Sequence, residues 1–311
     1  MDGVMASSQT KPLILLLYYG ASARRNGSFM SSTIEVFEKA ADAGEIELYS
    51  TGTDISDDVL REEAQRADGI VTISIGNDLF LNDLGRLNKP MVVLDHDPLG
   101  GNADSVCFDN FAAAEELGKK IVALGHRDVL YVSRFAKDLK AVEGANPHVE
   151  TTPSSDRRNG LARAFEGTDV TLWSIFPWYS GGGGISNDAK TDARWRFANT
   201  IQQVGKMPDC IVNVDYSVSE EFIAILAEHN LQVPRDLSMA DFQIFPRYEK
   251  REQLPMSHMR LDFTQMGQKG WRLLRDRLHD RELRNAPPRR VRLKCAYVDE
   301  GTLHQRGAAA G

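Results

Sequence analysis

Residues suited to gripping a small polar molecule recur at one kind of place in this sequence, just after short apolar runs. Tyr18 and Tyr19 follow the run Leu13-Ile14-Leu15-Leu16-Leu17, with Ser28 and Phe29 shortly after. Asn77 and Asp78 follow the run at 70–75, Asp95-His96-Asp97 follow 91–94, and Arg134-Phe135 follow 129–132. Phe176 and Trp178 come after 170–175, Asp215-Tyr216 after 211–214, and Gln243 after 237–242. Aromatic planes offer apolar faces, while carboxylates, amides and a guanidinium offer directed hydrogen bonds. A cleft for a sugar or a nucleoside needs that mixture. A lone Asp after a strand is often only a cap for the next helix, so the expectation rests on the convergence.

Other chemistries find little support. Asp95-His96-Asp97 has the residue types of a metal site or an acid–base pair. Neighbours on an extended chain point in different directions, however, and no second His is near in sequence, so no metal site is expected. The nucleophile motif G-x-S-x-G is absent. The glycines at 181–184 are not followed by Gly-Lys-Ser/Thr, and no G-x-G-x-x-G follows the first run, so they read as a surface loop and not a phosphate cradle. Cys107, Cys210 and Cys295 lie far apart without C-x-x-C spacing, and read as small core residues in a reducing compartment. The histidines outside the Asp-His-Asp run read as isolated surface or helix-end residues. No catalytic group, metal or cofactor is expected, and the chain reads as a binding protein and not an enzyme.

The elements that must place these residues alternate between β-rich runs and helical periods. Helices are expected at 29–43, 79–87, 157–165, 192–204, 217–229 and 263–278, and strands at the apolar runs, at 105–108 and at 291–298. The clearest helix start is Asp109-Asn110, followed by the stripe Ala113, Leu117, Ile121 and Leu124 and closed by Gly125. Stretches 19–27, 136–154 and 179–188 read as irregular. Such alternation means α/β architecture with parallel sheets and helices on both faces. With 311 residues and about ten strands, two doubly wound sheets fit better than one. The net charge of −7 argues against a nucleic-acid surface over most of the chain. The basic run Arg289-Arg290-Val291-Arg292 with Lys294 reads as a strand with one solvated face. The first residues show no secretion signal, and the longest apolar run, 13–19, is too short to span a bilayer, so a cytoplasmic protein is expected.

Several segments resemble the effector-binding domain of the lactose-repressor/galactose-repressor (LacI/GalR) family of bacterial transcription regulators. They are Val106-Cys107-Phe108-Asp109-Asn110, Leu124-Gly125-His126-Arg127-Asp128, Arg157-Arg158-Asn159-Gly160-Leu161, Pro208-Asp209-Cys210-Ile211-Val212 and Val233-Pro234-Arg235-Asp236-Leu237-Ser238. Leu254-Pro255-Met256-Ser257 and Met266-Gly267 continue the match, which runs from Leu13 to about Thr302. The resemblance implies a periplasmic-binding-protein-like fold of type I, two doubly wound lobes joined by three crossovers. It implies lobes at 12–108 with 258–285 and at 109–257 with 286–303, flanked by a linker at 1–11 and a tail at 304–311. It further implies a sugar-like effector in the interlobe cleft, shifting a homodimer between two states of different DNA affinity.

Carried over residue by residue, Phe29, Asp95, Arg157, Trp178, Asp215 and Gln243 fall where that family lines its ligand site. Arg157 stands out, because its fork can grip vicinal hydroxyls or a carboxylate. This chain departs from the family pattern at Asp241-Phe242-Gln243, where Gly-Phe-Asp is usual, and at Asp215-Tyr216, where Asn-Asp is usual. An amide in the carboxylate's place argues against an ordinary hexose. No DNA-binding headpiece is visible in this chain, so DNA contact is expected only through a module outside it. The alternative is the solute receptor of a sugar importer, which shares the fold.

Overall fold

Leu13–Tyr18 forms strand β1, with every residue after the first buried, as expected of a parallel strand covered on both faces. The computed structural model describes residues 11–18, 30–53, 55–98, 100–133, 135–136, 152–175, 178–179, 187–214, 216–242 and 255–306. These fall into two compact units. The first holds β1, Met30–Val106 and Thr264–Arg290; the second holds the described residues of Cys107–Phe263 and those from Val291 onward. The chain therefore passes between units after Val106, Phe263 and Arg290.

In the first unit the elements after β1 are α1 (Ser31–Asp42), β2 (Glu47–Gly52), α2 (Asp57–Arg66), β3 (Gly69–Ile73), α3 (Asp78–Gly85), β4 (Met91–Leu94) and β5 (Asp104–Phe108). Its sheet has the order β13-β5-β4-β3-β1-β2, where β13 is Arg290–Leu293. Leu15, Leu17, Ile70 and Val93 pack on Leu60 and Ala64 of α2 and Leu81 and Leu84 of α3. α8 (Phe263–His279) joins from far along the chain, with Gly267 close against Thr33 and Val36 of α1 and Gly270 against Leu94.

The second unit runs α4 (Asn110–Ala123), β6 (Asp128–Val132), α5 (Thr152–Phe165), β8 (Thr171–Ile175), α6 (Asn187–Val204), β10 (Cys210–Asn213), α7 (Tyr216–Glu228), β11 (Ser238–Asp241), β12 (His258–Arg260) and β14 (Ala296–Val298). Two short strands, β7 (Phe135–Ala136) and β9 (Trp178–Tyr179), pair only with each other. The main sheet has the order β14-β12-β11-β10-β6-β8, parallel except for β12 with β14. Side-chain alternation divides the core: Tyr131, Val212, Ala240 and Phe242 face α4 and α5, while Leu130, Ile211 and Met239 face α6 and α7. This is the doubly wound α/β pattern expected. Among the described residues no helix is long and apolar enough to cross a membrane.

Some details differ from the sequence reading. β2 and α2 were not foreseen: β2 alternates between exposed and half-buried positions, and α2 is Asp-Asp-Val-Leu-Arg-Glu-Glu-Ala-Gln-Arg, almost wholly polar and started by a cap from Ser56 to the amide of Val59. α5 and α6 each begin five residues earlier than expected, at Thr152 and Asn187. The single strand expected at 291–298 is two strands in two sheets, because the chain changes unit there. Cys107 and Cys210 are buried, but Cys295 is only half-buried. The glycines at 181–184 lie outside the described residues.

Along the basic run Arg290, Arg292 and Lys294 are exposed and alternate with Val291 and Leu293, as expected of a strand with one solvated face, while Arg289 turns to a buried carboxylate. Asp104, fully buried, accepts from Arg277 (Nη2 2.6 Å, Nε 2.8 Å), from Arg289 Nη2 (3.0 Å) and from the Arg289 amide (2.7 Å). Burial pushes its carboxyl up, but these donors outweigh that and hold it below its ordinary value of 3.8. The clamp's contribution to stability is therefore complete above that value and is lost as pH falls through the lowered one. Arg277→Met, which leaves a buried carboxylate short of its main partner, is expected to cost about 3–5 kcal/mol in urea denaturation at neutral pH. The difference from wild type should shrink in acid.

Candidate functional site

In a parallel sheet the carboxyl ends of the strands open toward the loops that carry ligands. In the second unit these ends surround Arg157, on the second turn of α5. The helix comes close to α4 because two glycines remove side chains at the crossing. A Cβ on Gly160 would stand 2.3 Å from the Phe111 carbonyl oxygen, and one on Gly118 would stand 2.5 Å from Ala164 Cβ. The Tyr131 hydroxyl donates to the Ser154 carbonyl (3.0 Å) and fixes the start of the helix.

Arg157 is 5% exposed. Its Nε donates to Asn110 Oδ1 (2.8 Å), its Nη1 donates to the Val214 carbonyl (3.0 Å), and its guanidinium carbon lies 5.0 Å from the centroid of the Phe242 ring. Asn110 is itself fixed, donating through Nδ2 to the Phe108 carbonyl (3.3 Å), while Asp109 caps α4 by accepting from the Ala112 amide (3.1 Å). A planar, permanently charged donor is thus held over an aromatic face by acceptors from α4 and from the end of β10. Such a group recognises anionic or hydroxyl-bearing ligands by paired N–H donors.

In the first unit, Asp95 follows β4. Its Oδ2 accepts from Ser74 Oγ (2.7 Å), and the Ser74 amide donates to the Leu94 carbonyl (2.9 Å). Asp95 and Ser74 both adopt the left-handed backbone, at φ 62° and 55°. That conformation costs an L-residue about 1–2 kcal/mol, and such strain gathers at functional sites. His96 turns instead to Asp78 (Nε2–Oδ1 3.1 Å), and Asp97 accepts from Ser105 (3.2 Å). The three neighbours turn to three different partners. Among the described residues no group of three or more His, Cys, Asp or Glu could hold a metal ion.

Of the remaining residues singled out in the sequence, Phe29, Asp215 and Gln243 lie outside the described residues. Trp178 is placed by its backbone in β9, in parallel register with Phe135. Sequence reasoning missed Asn110 as a partner of Arg157, treating it only as a cap. It also missed the Val214 carbonyl, which no side-chain pattern could disclose, and Ser74. The reading of the histidines needs correction as well. His126 is 1% exposed and bridges Asp209 Oδ1 (Nδ1, 3.2 Å) and the His304 carbonyl (Nε2, 3.0 Å). Burial raises the Asp209 carboxyl, but His126 and the amides of Arg127 and Asp128 bring it below its usual range. This cluster sits at the amino ends of β6 and β10, away from Arg157, and its work is to join the chain's last turns to the sheet.

Gly160→Ala is expected to force α4 and α5 apart. Overpacking of this kind costs about 1–3 kcal/mol, read as a lower denaturation midpoint, and a structure of the variant should show Arg157 withdrawn from Asn110. An unchanged midpoint would mean that the crossing yields without moving Arg157.

Comparison with known proteins bears on the whole architecture. No curated protein sequence matches the chain. In fold it is similar to a LacI family transcriptional regulator from Enterococcus faecium with bound ribose, at 16% identity and a TM-score of 0.71, covering 94% of this chain and 99% of that one. It is also similar to the transcriptional regulator CelR in complex with cellobiose, at 14% identity and a TM-score of 0.73, covering 94% and 85% of the two chains. A transcription regulator like protein from Staphylococcus haemolyticus shares 18% identity with a TM-score of 0.71, over 95% and 100% of the chains. The model of the periplasmic binding protein-like domain matches residues 119–302, and the chain belongs to that family.

Proposed function

We propose that this chain is the effector-binding part of a LacI-like bacterial transcription regulator, and that it binds a small polar ligand of the sugar, sugar-derivative or nucleoside class. The observation that carries this reading is the buried guanidinium of Arg157, fixed at the strand ends over Phe242 where a ligand's hydroxyls or carboxylate can meet it. Two of the similar folds were solved with sugars bound, ribose in one and cellobiose in the other. In this reading Arg157 is the main polar contact, and Phe29, Asp95, Trp178, Asp215 and Gln243 are the other ligand-binding residues. The protein works in the cytoplasm as a homodimer, and the ligand changes its affinity for DNA, which a separate headpiece contacts. The acidic balance of −7 agrees with these units not touching phosphates themselves.

A thermal-shift series tests the reading, using ribose, cellobiose, sugar acids, sugar phosphates and nucleosides on wild type, Arg157→Ala and Arg157→Lys. One class should raise the melting temperature with concentration, by the equivalent of about 2.7 kcal/mol at a hundredfold excess over Kd. The shift should vanish in Arg157→Ala and weaken in Arg157→Lys, which keeps the charge and loses the fork. No shift with any class, or one indifferent to Arg157, would sink the assignment.

A further inference from the structure

Two supports of Arg157 share a feature in sequence: each follows directly after a buried polar residue. Asn213 precedes Val214, whose carbonyl accepts from Arg157, and Asp241 precedes Phe242, whose ring lies beneath the guanidinium. Asn213 and Asp241 are register partners on β10 and β11. Alternation sends both to the opposite face from Phe242, the face covered by α7. There the Ser219 hydroxyl of α7 donates to Asp241 Oδ1. Asn213 Nδ2 donates to Ser219 Oγ at 2.8 Å and lies 3.4 Å from Asp241 Oδ1. All three residues are fully buried.

The arrangement is short of hydrogens. Among the described residues, Asp241 Oδ2 and Asn213 Oδ1 are buried and have no hydrogen-bond partner. An ionised carboxylate only accepts, and burying it without a counter-charge is costly. A proton on Oδ2 removes the charge and supplies a donor where the acceptors outnumber the hydrogens. In keeping with this, burial raises the Asp241 carboxyl from 3.8 to about 7, against the lowering effect of Ser219 and Asn213. Other titratable groups lie on the elements packed around Asp241. β12 sets His258 opposite Asp241 in register, with Nδ1 bonded to the Met256 carbonyl (2.8 Å). On α7, Glu220 follows Ser219 in sequence and Glu221 pairs with Arg194 (2.6 Å), while Asp299 accepts from Ser257 (3.3 Å).

We propose that Asp241 is a positioning residue for Arg157 that works as a neutral acid. Protonated, it ties β10, β11 and α7 together beneath the guanidinium; ionised, it loosens the two strand ends that hold Arg157, so the grip on the ligand weakens as pH rises through neutrality. The consequence for the ligand rests on Arg157 being its contact, but the coupling of Asp241 to Arg157 does not. The sign for folding is the same. The folded chain keeps this proton to near neutrality while the unfolded chain releases it above about 4, so stability falls as pH rises between those points and then levels off.

The test uses the ligand-free chain, so it stands apart from the effector reading. The Arg157 Nε–H resonance, identified by its loss in Arg157→Lys, is followed from about pH 5 to about pH 8.5 together with the Asp241 carboxyl carbon. In wild type both should move in one titration near neutrality. In Asp241→Asn, which replaces the acid by an amide donor, the Arg157 signal should keep its low-pH position throughout. Ser219→Ala, which removes a donor to the carboxylate, should shift the shared midpoint upward and gives a second route should Asp241→Asn fail to fold. An Asp241 carbon already ionised across the range overturns the proposal. So does an Arg157 signal that stays still while Asp241 titrates, or one that titrates equally in Asp241→Asn.

Discussion

A guanidinium keeps its charge at any pH a cell reaches, and Arg157 carries its charge into the interior of the second unit. Much of the local architecture follows from the need to compensate it. Asn110 turns away from capping its own helix, a task Asp109 performs, and becomes an acceptor. Val214, one residue past the end of β10, turns its carbonyl to the side chain. Phe242 gives its face. None of this geometry survives unless α5 lies close enough to α4 for the side chain to reach, and that closeness depends on the missing Cβ of Gly160. The Arg-x-x-Gly spacing is thus one device: the glycine sets the depth at which the arginine is buried.

The first unit meets the same constraint in a different way. Arg277 and Arg289 enclose a buried carboxylate, and Arg277 spends its other donors on the carbonyls of Ala286 and Pro287. There the charges neutralise each other and the chain is fixed where it leaves α8. Around Arg157, the Asn110 side-chain oxygen and the Val214 carbonyl are among the acceptors.

The parts of this fold that could be read from the sequence are those where periodicity and burial agree. β1 and β4 are continuous apolar runs, β3, β6 and β10 each include one polar residue, and α4 has an unambiguous cap, stripe and closing Gly125 at φ 85°. α2 could not be read because its buried Leu60 and Ala64 are outnumbered by charged residues. β12, at three residues, is too short to show a period. The division of 291–298 between two sheets depends on where the chain changes unit, which side-chain pattern does not encode. For the site, strand-end placement pointed to Asp95, whereas Arg157 came from the family resemblance. The atoms that hold Arg157 stayed hidden, since a backbone carbonyl has no letter. Asp241 was visible only as a departure from the family pattern, and its meaning depended on Ser219, far off in sequence and adjacent in space.

The three passages of the chain between units bear on how the protein is made. The first unit waits for α8 and β13, and the second waits for β14, so each sheet is finished by strands from the last stretch of the chain. A ribosome releases these segments after the other strands of both sheets. During synthesis, then, β5 and β12 stand as open edges beside parallel strands whose pairing is already slow to form. Folding of the two units is tied to a common later event despite their separate cores. Until β13 and β14 emerge, the nascent chain has unpaired strand edges on offer, a state in which chaperones have the most to protect.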